Sequence, residues 1–131
     1  MSKTAEEFAA VKEVCRDLFY KKMCDYGTSW RVMRPSSITD QIMIKARRIR
    51  SLEEMGGHGR VDEGIEPEYI GIINYCVIAM IQLAEGTGDE MATERVMQLY
   101  DKWFDASASL MTDKNHDYGE AWRDMLVTSF T

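Results

Sequence analysis

Apolar residues recur every three or four positions along most of this 131-residue chain, and that spacing limits its fold more than any other feature. No segment shows the alternation of apolar and polar residues that is typical of strands. Gly27 stands where a helix should end, and Pro67 stands where the first turn of another helix should lie. The sequence therefore predicts an all-α fold, a helical bundle of four long helices. The predicted helices span about residues 4–26, 37–55, 67–85 and 89–117.

The pattern D-Y-G-x-x-W-R-x-M occurs twice, beginning at Asp25 and again at Asp117. Residues 18–33 and 110–125 are identical at eight of sixteen positions, where chance predicts about one, and such self-similarity indicates an internal repeat. The second copy stops where its own second helix would begin, so the repeat is incomplete. The predicted organisation is one all-α domain, residues 1–131, with a repeat unit at 4–85 and a partial unit at 89–131.

The repeated motif allows two interpretations. Its glycine and aromatic residues could shape a helix end, with Trp30 packed beneath the turn. Alternatively, Trp30 could stack on a ligand while Arg31 binds a phosphate or carboxylate. The repetition does not decide between these, because a duplicated unit repeats its packing together with its chemistry.

Charge and cysteine content limit the partners of the chain. It carries 16 Lys and Arg against 22 Asp and Glu, a net charge of −6, so we expect no direct binding of polymeric DNA or RNA. Its three cysteines are scattered and odd in number, as in proteins of the reducing cytoplasm. The acidic N-terminus is unlike a signal peptide, and the most apolar segment, 69–84, is short for a membrane span and contains Asn74 and Gln82. We therefore expect a cytoplasmic protein with no membrane partner.

Lys45 lies in the middle of the apolar arc of the second helix, among Ile38, Ile42 and Ile49. A lysine in that position extends its amine into water, pairs with a buried carboxylate, or faces a cleft that binds an anion. The six residues from Lys45 to Arg50 include four cations. A short basic segment in an acidic protein suits one phosphorylated small molecule better than a polymer.

The third predicted helix is apolar on nearly every side, so it belongs in the centre of a bundle or at a subunit interface. Asn74 should be buried and hydrogen-bonded, either to a neighbouring backbone group or to a sugar hydroxyl or base edge. The partial second unit lacks counterparts of the second and third helices, which leaves the flank from Ile70 to Leu83 uncovered. We therefore expect a homodimer. The residues expected to cross the subunit boundary, with or without the fourth helix, are Ile73, Val77, Met80 and Ile81 or their neighbours around the third helix.

The candidate metal ligands are carboxylates at the facing ends of the second and third helices. Glu53 and Glu68 are the chosen pair, since Mg²⁺ needs only one or two carboxylates in addition to ligand phosphates. Acidic helix ends are also often simply solvated. The segment from Gly56 to Arg60 lacks the P-loop pattern, and neither histidine has a partner at metal-ligand spacing.

Three segments carry a family resemblance: DYGTSWRVMRPSSITDQIMIKARRIRSLEE from Asp25, EGIEPEYIGIINYCVIAMIQL from Glu63, and KNHDYGEAWRDM from Lys114. In these motifs, and over nearly its whole length, the chain resembles the bacterial and phage nucleotide-modification-associated domain family, formerly a domain of unknown function. The resemblance implies two copies of the repeat unit. It also implies a more distant relationship to the all-α nucleoside triphosphate pyrophosphohydrolases.

Those hydrolases hold magnesium with E-x-x-E and E-x-x-D motifs on facing helices. By resemblance, Asp40, Lys45, Arg48 and Asn74 would line a nucleotide site. No E-x-x-E faces an E-x-x-D in this chain, and Gly71 stands three residues before Asn74, where a helical carboxylate would help. Two functions are therefore expected as alternatives. One is a magnesium-dependent nucleotide pyrophosphohydrolase of nucleotide or modified-base metabolism, and the other is a non-catalytic helical binding or scaffold module of a nucleotide-modifying system.

Overall fold

The computed structural model describes residues 3–55 and 59–118, and the side chains of 59–63 and 118 lie outside that description. Within these ranges every regular element is helical and no strand occurs, which confirms the predicted all-α bundle. The elements are helix α1 (Lys3–Tyr26), a short 3₁₀ helix (Ser29–Val32), α2 (Pro35–Glu54), α3 (Gly59–Glu85) and α4 (Thr93–Tyr118).

The end of α1 and the start of α2 lie where local sequence signals predict them. Gly27 follows α1 with a φ of +70°, a conformation that glycine adopts without strain. Its N–H donates to the Met23 carbonyl at 2.8 Å, which satisfies one of the carbonyls at the helix end. Pro35 is the first residue of α2, where the missing N–H of proline has no cost.

The predicted start of α3 was wrong by eight residues, because the helix begins at Gly59 and Pro67 lies inside it. The segment before the proline packs against α2. Gly64 approaches so closely that a Cβ added there would lie 3.3 Å from Cδ1 of Leu52. This packing holds the first turns of α3 and outweighs the hydrogen bond that Pro67 cannot make. In contrast, α4 begins four residues later than predicted, at Thr93.

Helices α2 and α3 form an antiparallel hairpin, and α3 also contacts α1 and α4, so it occupies the centre of the bundle as expected. Aromatic rings join α1 to α4. The ring centroids of Phe8 and Phe104 lie 5.4 Å apart, and those of Phe19 and Tyr100 lie 4.7 Å apart. The core therefore lies between the α1–α4 pair and the inner face of the hairpin.

Two of the four residues predicted to cross a subunit boundary face this core instead. Val77 and Ile81 are buried, because their side of α3 packs against α1 and α4. Ile73 is half-buried against the same core, and Met80 is exposed. The part of the prediction that concerns Val77 and Ile81 was therefore wrong.

The internal repeat stays a prediction. The structure describes α4 as far as Tyr118, whereas Gly119, Trp122 and Arg123 of the second motif lie outside the described residues. The division into units 4–85 and 89–131 depends on that second copy and is likewise untested.

Candidate functional site

A cavity of about 500 Å³ lies between the C-terminal half of α1, the 3₁₀ helix, α2 and the middle of α3. It opens where the D-Y-G-x-x-W-R motif turns the chain from α1 towards α2. Two cations, one carboxylate and four aromatic rings contribute to its wall. These residues are Lys22, Lys45, Glu68, Phe19, Tyr26, Trp30 and Tyr75.

Lys45 reaches this cavity from the apolar arc of α2. Its Nζ lies 3.4 Å from Oε2 of Glu68 and 5.9 Å from the centroid of the Tyr75 ring. The Glu68 side chain is only 16% exposed, against 26% for that of Lys45. Of the three interpretations of this lysine, the structure shows pairing with a largely buried carboxylate, and it also places the amine in the cavity wall.

Gly71 creates the space that the Lys45 side chain occupies. A Cβ at position 71 would lie 2.7 Å from Cε and 2.9 Å from Cδ of Lys45, well inside van der Waals contact. The lysine stem therefore lies directly against the backbone of α3. Sequence reasoning noted this glycine as a missing carboxylate and did not recognise it as a packing requirement of Lys45.

The other residues predicted on α2 do not line the cavity. Arg48 is exposed, but its Nε lies 2.9 Å from Oε1 of Glu68, so it shares that carboxylate with Lys45. Asp40 and Glu53 are exposed and lie outside the cavity wall. Of the predicted site, the structure thus brings together Lys45, Asn74, Trp30 and Glu68, with Arg48 one contact away.

Asn74 is buried and hydrogen-bonded, as predicted, and its partners belong to the protein. Its Nδ2 donates to the Cys15 carbonyl at 3.1 Å, and its Oδ1 accepts from the Tyr100 hydroxyl at 2.7 Å. Burial raises the pKa of Tyr100, so that hydroxyl keeps its proton at neutral pH and remains a donor. These bonds favour the structural interpretation of Asn74, with one amide hydrogen left for the cavity.

Trp30 and Arg31 are adjacent in the motif, but their side chains contact different parts of the protein. The indole of Trp30 lines the cavity and packs against Phe19, with ring centroids 6.1 Å apart. Arg31 is buried, and its Nη1 donates to Oε1 of Gln82 and to the Gly86 carbonyl, the latter at 2.8 Å. The ligand interpretation thus fits the position of Trp30, whereas Arg31 ties the chain after α1 to the end of α3.

Gln82 is a residue whose role the sequence analysis missed. Its Nε2 donates to the carbonyls of Arg31 and Met33 at 2.7 and 2.8 Å, in addition to the contact between its oxygen and Arg31. We call Arg31, Gln82 and Gly86 the Arg31 cluster. A glutamine in an otherwise apolar helix was the available signal, because a buried amide must find partners.

The described residues do not fit a resident magnesium ion. The described residues contain no group of three His, Cys, Asp or Glu side chains that could hold a metal. Both oxygens of Glu68 already face cations, and Glu53 is exposed. Magnesium therefore stays a prediction of the family resemblance, and no chemical step is derived from it.

Lys22, Tyr26 and Tyr75 complete the cavity and were not selected from the sequence. Lys22 and Tyr26 lie four residues apart in the last turns of α1, so they share a helix face. That spacing, just before the candidate Trp30, is the signal that could have identified these two residues. Lys22 forms no ion pair with any carboxylate of the described residues, so its amine is available to a ligand.

Comparison with known proteins gives one match, to the family model described as nucleotide modification associated domain 1, over residues 22–83. No curated protein and no solved structure matches the chain. The matched range begins at Lys22 and includes the first D-Y-G-x-x-W-R motif, all of α2 and nearly all of α3. Of the polar and aromatic residues named above in the cavity wall, all except Phe19 fall within it. Residues 22–83 of this chain are therefore similar to the nucleotide modification associated domain 1 family.

Proposed function

We propose that the cavity binds a single nucleotide, with its base against the aromatic wall and its phosphate between Lys22 and Lys45. The observation that carries the proposal is the meeting of these two lysines with four aromatic rings in one cavity of an acidic protein. Aromatic faces stack on any base, and lysine amines bind phosphate as point charges. The family description, which concerns nucleotide modification, agrees with this class of ligand.

The size and charge of the cavity favour a mononucleotide over a polymer. A volume of about 500 Å³ lies within the range of small-molecule sites, about 300–1,000 Å³. Outside the cavity, the net charge of −6 opposes the approach of a long phosphate backbone. The ligand is therefore a free nucleotide or a modified derivative of one.

The ion pairs around Glu68 allow Lys45 to turn towards a phosphate. Lys45 holds this carboxylate at 3.4 Å and Arg48 holds it at 2.9 Å. When Lys45 moves to the ligand, Glu68 keeps Arg48 as its closer partner. No buried carboxylate is then left unpaired, which removes the largest cost of such an exchange.

Binding without hydrolysis is the function that the described side chains support better. Hydrolysis would require a group that activates water and a group that neutralises the charge developing on phosphorus. The cavity has cations for the second task. Its one carboxylate, Glu68, already has one oxygen against Lys45 and the other against Arg48, so neither oxygen is free to activate a water.

Calorimetric titration with the four common deoxynucleoside monophosphates and triphosphates, with and without magnesium, tests the proposal. We expect saturable binding of at least one of these nucleotides without magnesium. Parallel measurement of released pyrophosphate separates the two functions, because the binding module releases none. The absence of binding to every nucleotide at millimolar concentration would contradict the proposal, and rapid pyrophosphate release would replace it with the hydrolase.

A further inference from the structure

Among the described residues, one side of α3 is apolar and only partly covered, although the opposite side is the centre of the core. At about 100° per residue, six positions from 65 to 83 fall on one outer arc that is about 27 Å long. We call these residues the α3 stripe. They are Ile65, Tyr69, Ile72, Cys76, Ala79 and Leu83.

The α3 stripe is accessible and uninterrupted by charge. Tyr69 is 49% exposed, Leu83 is 68% exposed, and Cys76 between them is also exposed. The two charged residues of this segment, Glu66 and Glu68, project to either side of the arc. A continuous apolar surface of this kind marks an interaction site on a soluble protein.

The apolar surface continues from the stripe onto α1. A groove of about 520 Å³ lies between the two helices, and its wall includes Val11 and Val14 of α1 together with Ile65 and Tyr69. Val11 and Val14 are 45% and 49% exposed. The stripe and the groove therefore form one continuous apolar surface on α3 and α1.

Lipid is a poor candidate for covering this surface. By length and hydropathy, Gly64–Glu85 is the helix of the described residues that could cross a membrane. The same helix, however, carries Asn74 and Gln82, whose hydrogen bonds to α1 and to the 3₁₀ segment would be lost on leaving the bundle. Glu66, Glu68 and the net charge of −6 also oppose an anionic lipid surface.

We infer that the α3 stripe pairs antiparallel with the α3 stripe of a second copy of this chain, about a two-fold axis level with Asn74. The intervals along the stripe are four, three, four, three and four residues, the same in both directions. An antiparallel pair centred on residue 74 therefore aligns every member with another member. It brings Tyr69 opposite Ala79 and Ile72 opposite Cys76, so that a large side chain meets a small one at these two levels, and Ile65 meets Leu83 at the ends.

The mass of the protein in solution gives the first test. Light scattering at micromolar concentration should give about twice the 15.1 kDa of the chain. Leu83→Glu places a charge in the interface and should weaken the dimer about 100-fold or more. Leu110→Glu is the matched control, because Leu110 is exposed to a similar degree on α4 and should leave the dimer intact.

Cross-linking tests the register. In a Cys24→Ser background, Ile72→Cys should form a disulfide with Cys76 of the second copy under mild oxidation. With Cys76 also changed to Ser, the two residues at position 72 are offset by about 6 Å along the helix axis, and cross-linking should fall sharply. A monomeric mass, a dimer unaffected by Leu83→Glu, or equal cross-linking in both variants would overturn the inference. Pelleting of the wild-type chain with phosphatidylcholine–phosphatidylglycerol vesicles would overturn it in favour of lipid.

Discussion

Arg31 and Lys45 both contact helix α3, Arg31 at its C-terminal end and Lys45 in its N-terminal half. Their partners on α3 are of different kinds. Arg31 is 6% exposed and donates to neutral oxygens, those of Gln82 and Gly86. The carbonyls at the end of α3 also provide the negative end of the helix dipole for its charge. Lys45 is more exposed, at 26%, and contacts the carboxylate of Glu68.

The difference indicates that a buried cation can move to a ligand only if the groups that it leaves keep another hydrogen-bond or ion-pair partner. Removal of Arg31 from Gln82 and Gly86 would leave two acceptors without a donor inside the protein. Movement of Lys45 leaves Glu68 still paired with Arg48. Arg31 is therefore a structural cation, and we propose Lys45 as the cation that meets the nucleotide.

The largest effect on stability is expected from Arg31→Met. The change removes the donor of both acceptors in the Arg31 cluster and should lower the free energy of unfolding by about 3 kcal/mol. Arg34→Met is the control, because Arg34 is exposed and should change that free energy by less than about 0.5 kcal/mol. Urea denaturation measures both. A buried acceptor that loses its donor costs roughly 1–3 kcal/mol. A decrease in the free energy of unfolding below about 1 kcal/mol for Arg31→Met would therefore contradict the structural role of Arg31.

Gly71→Ala should separate nucleotide binding from stability. The added methyl group displaces the end of the Lys45 side chain, so we expect nucleotide affinity to fall at least about tenfold. The free energy of unfolding should change by less than about 1 kcal/mol, since a flexible side chain can move and alanine favours the helix. Gly64→Ala, which contacts Leu52 outside the cavity, should leave affinity unchanged. Equal nucleotide affinities for Gly71→Ala and Gly64→Ala would show that the position of the Lys45 side chain does not affect nucleotide binding.

The smallest effect on the free energy of unfolding is expected for the partly exposed ion pair between Arg16 and Asp101. Its Nε lies 2.8 Å from Oδ1 of Asp101, and this hydrogen bond holds the pKa of the Asp101 carboxyl below its usual range. A carboxyl with a lowered pKa in the folded state stabilises the protein above its ordinary pKa, and that contribution is lost as the pH falls through the folded value.

Asp101→Asn should therefore lower the free energy of unfolding by less than about 1 kcal/mol at neutral pH, because solvent screens the pair. The difference from the wild type should shrink below about pH 4. Denaturation at a series of pH values measures it. A difference that grows on acidification would contradict the assigned direction of the pKa.

The sequence predicted the features that depend on local chemistry or on one helix face. Gly27 ends α1 because only glycine readily adopts the required φ, and the burial of Asn74 follows from the apolar residues around it. The apolar arc of α2 likewise identified Lys45 as unusual, and pairing with a buried carboxylate was one of its three alternatives. In each case the deciding information lies within one helix.

The features that were missed depend on contacts between elements. Pro67 indicated a helix start, but packing of Gly64 against Leu52 extends α3 beyond it. Gly71 gave no signal of its own, because its requirement comes from Lys45, 26 residues earlier in the chain. The two sides of α3 could not be distinguished either, since both are apolar and only the fold shows which one faces the core.

Titration of Lys45→Met with the panel of deoxynucleotides tests the central claim most directly, with Arg47→Met as the matched control. Arg47 is exposed on α2 and lies outside the cavity wall. We predict that the wild type and Arg47→Met bind at least one nucleotide with similar affinity, and that Lys45→Met binds it at least about tenfold more weakly. The free energy of unfolding of Lys45→Met should be unchanged or higher, because a charge leaves a half-buried site. Undiminished binding by Lys45→Met would contradict the account, as would a loss of about 3–5 kcal/mol in stability, which would identify Lys45 as part of a structural ion pair.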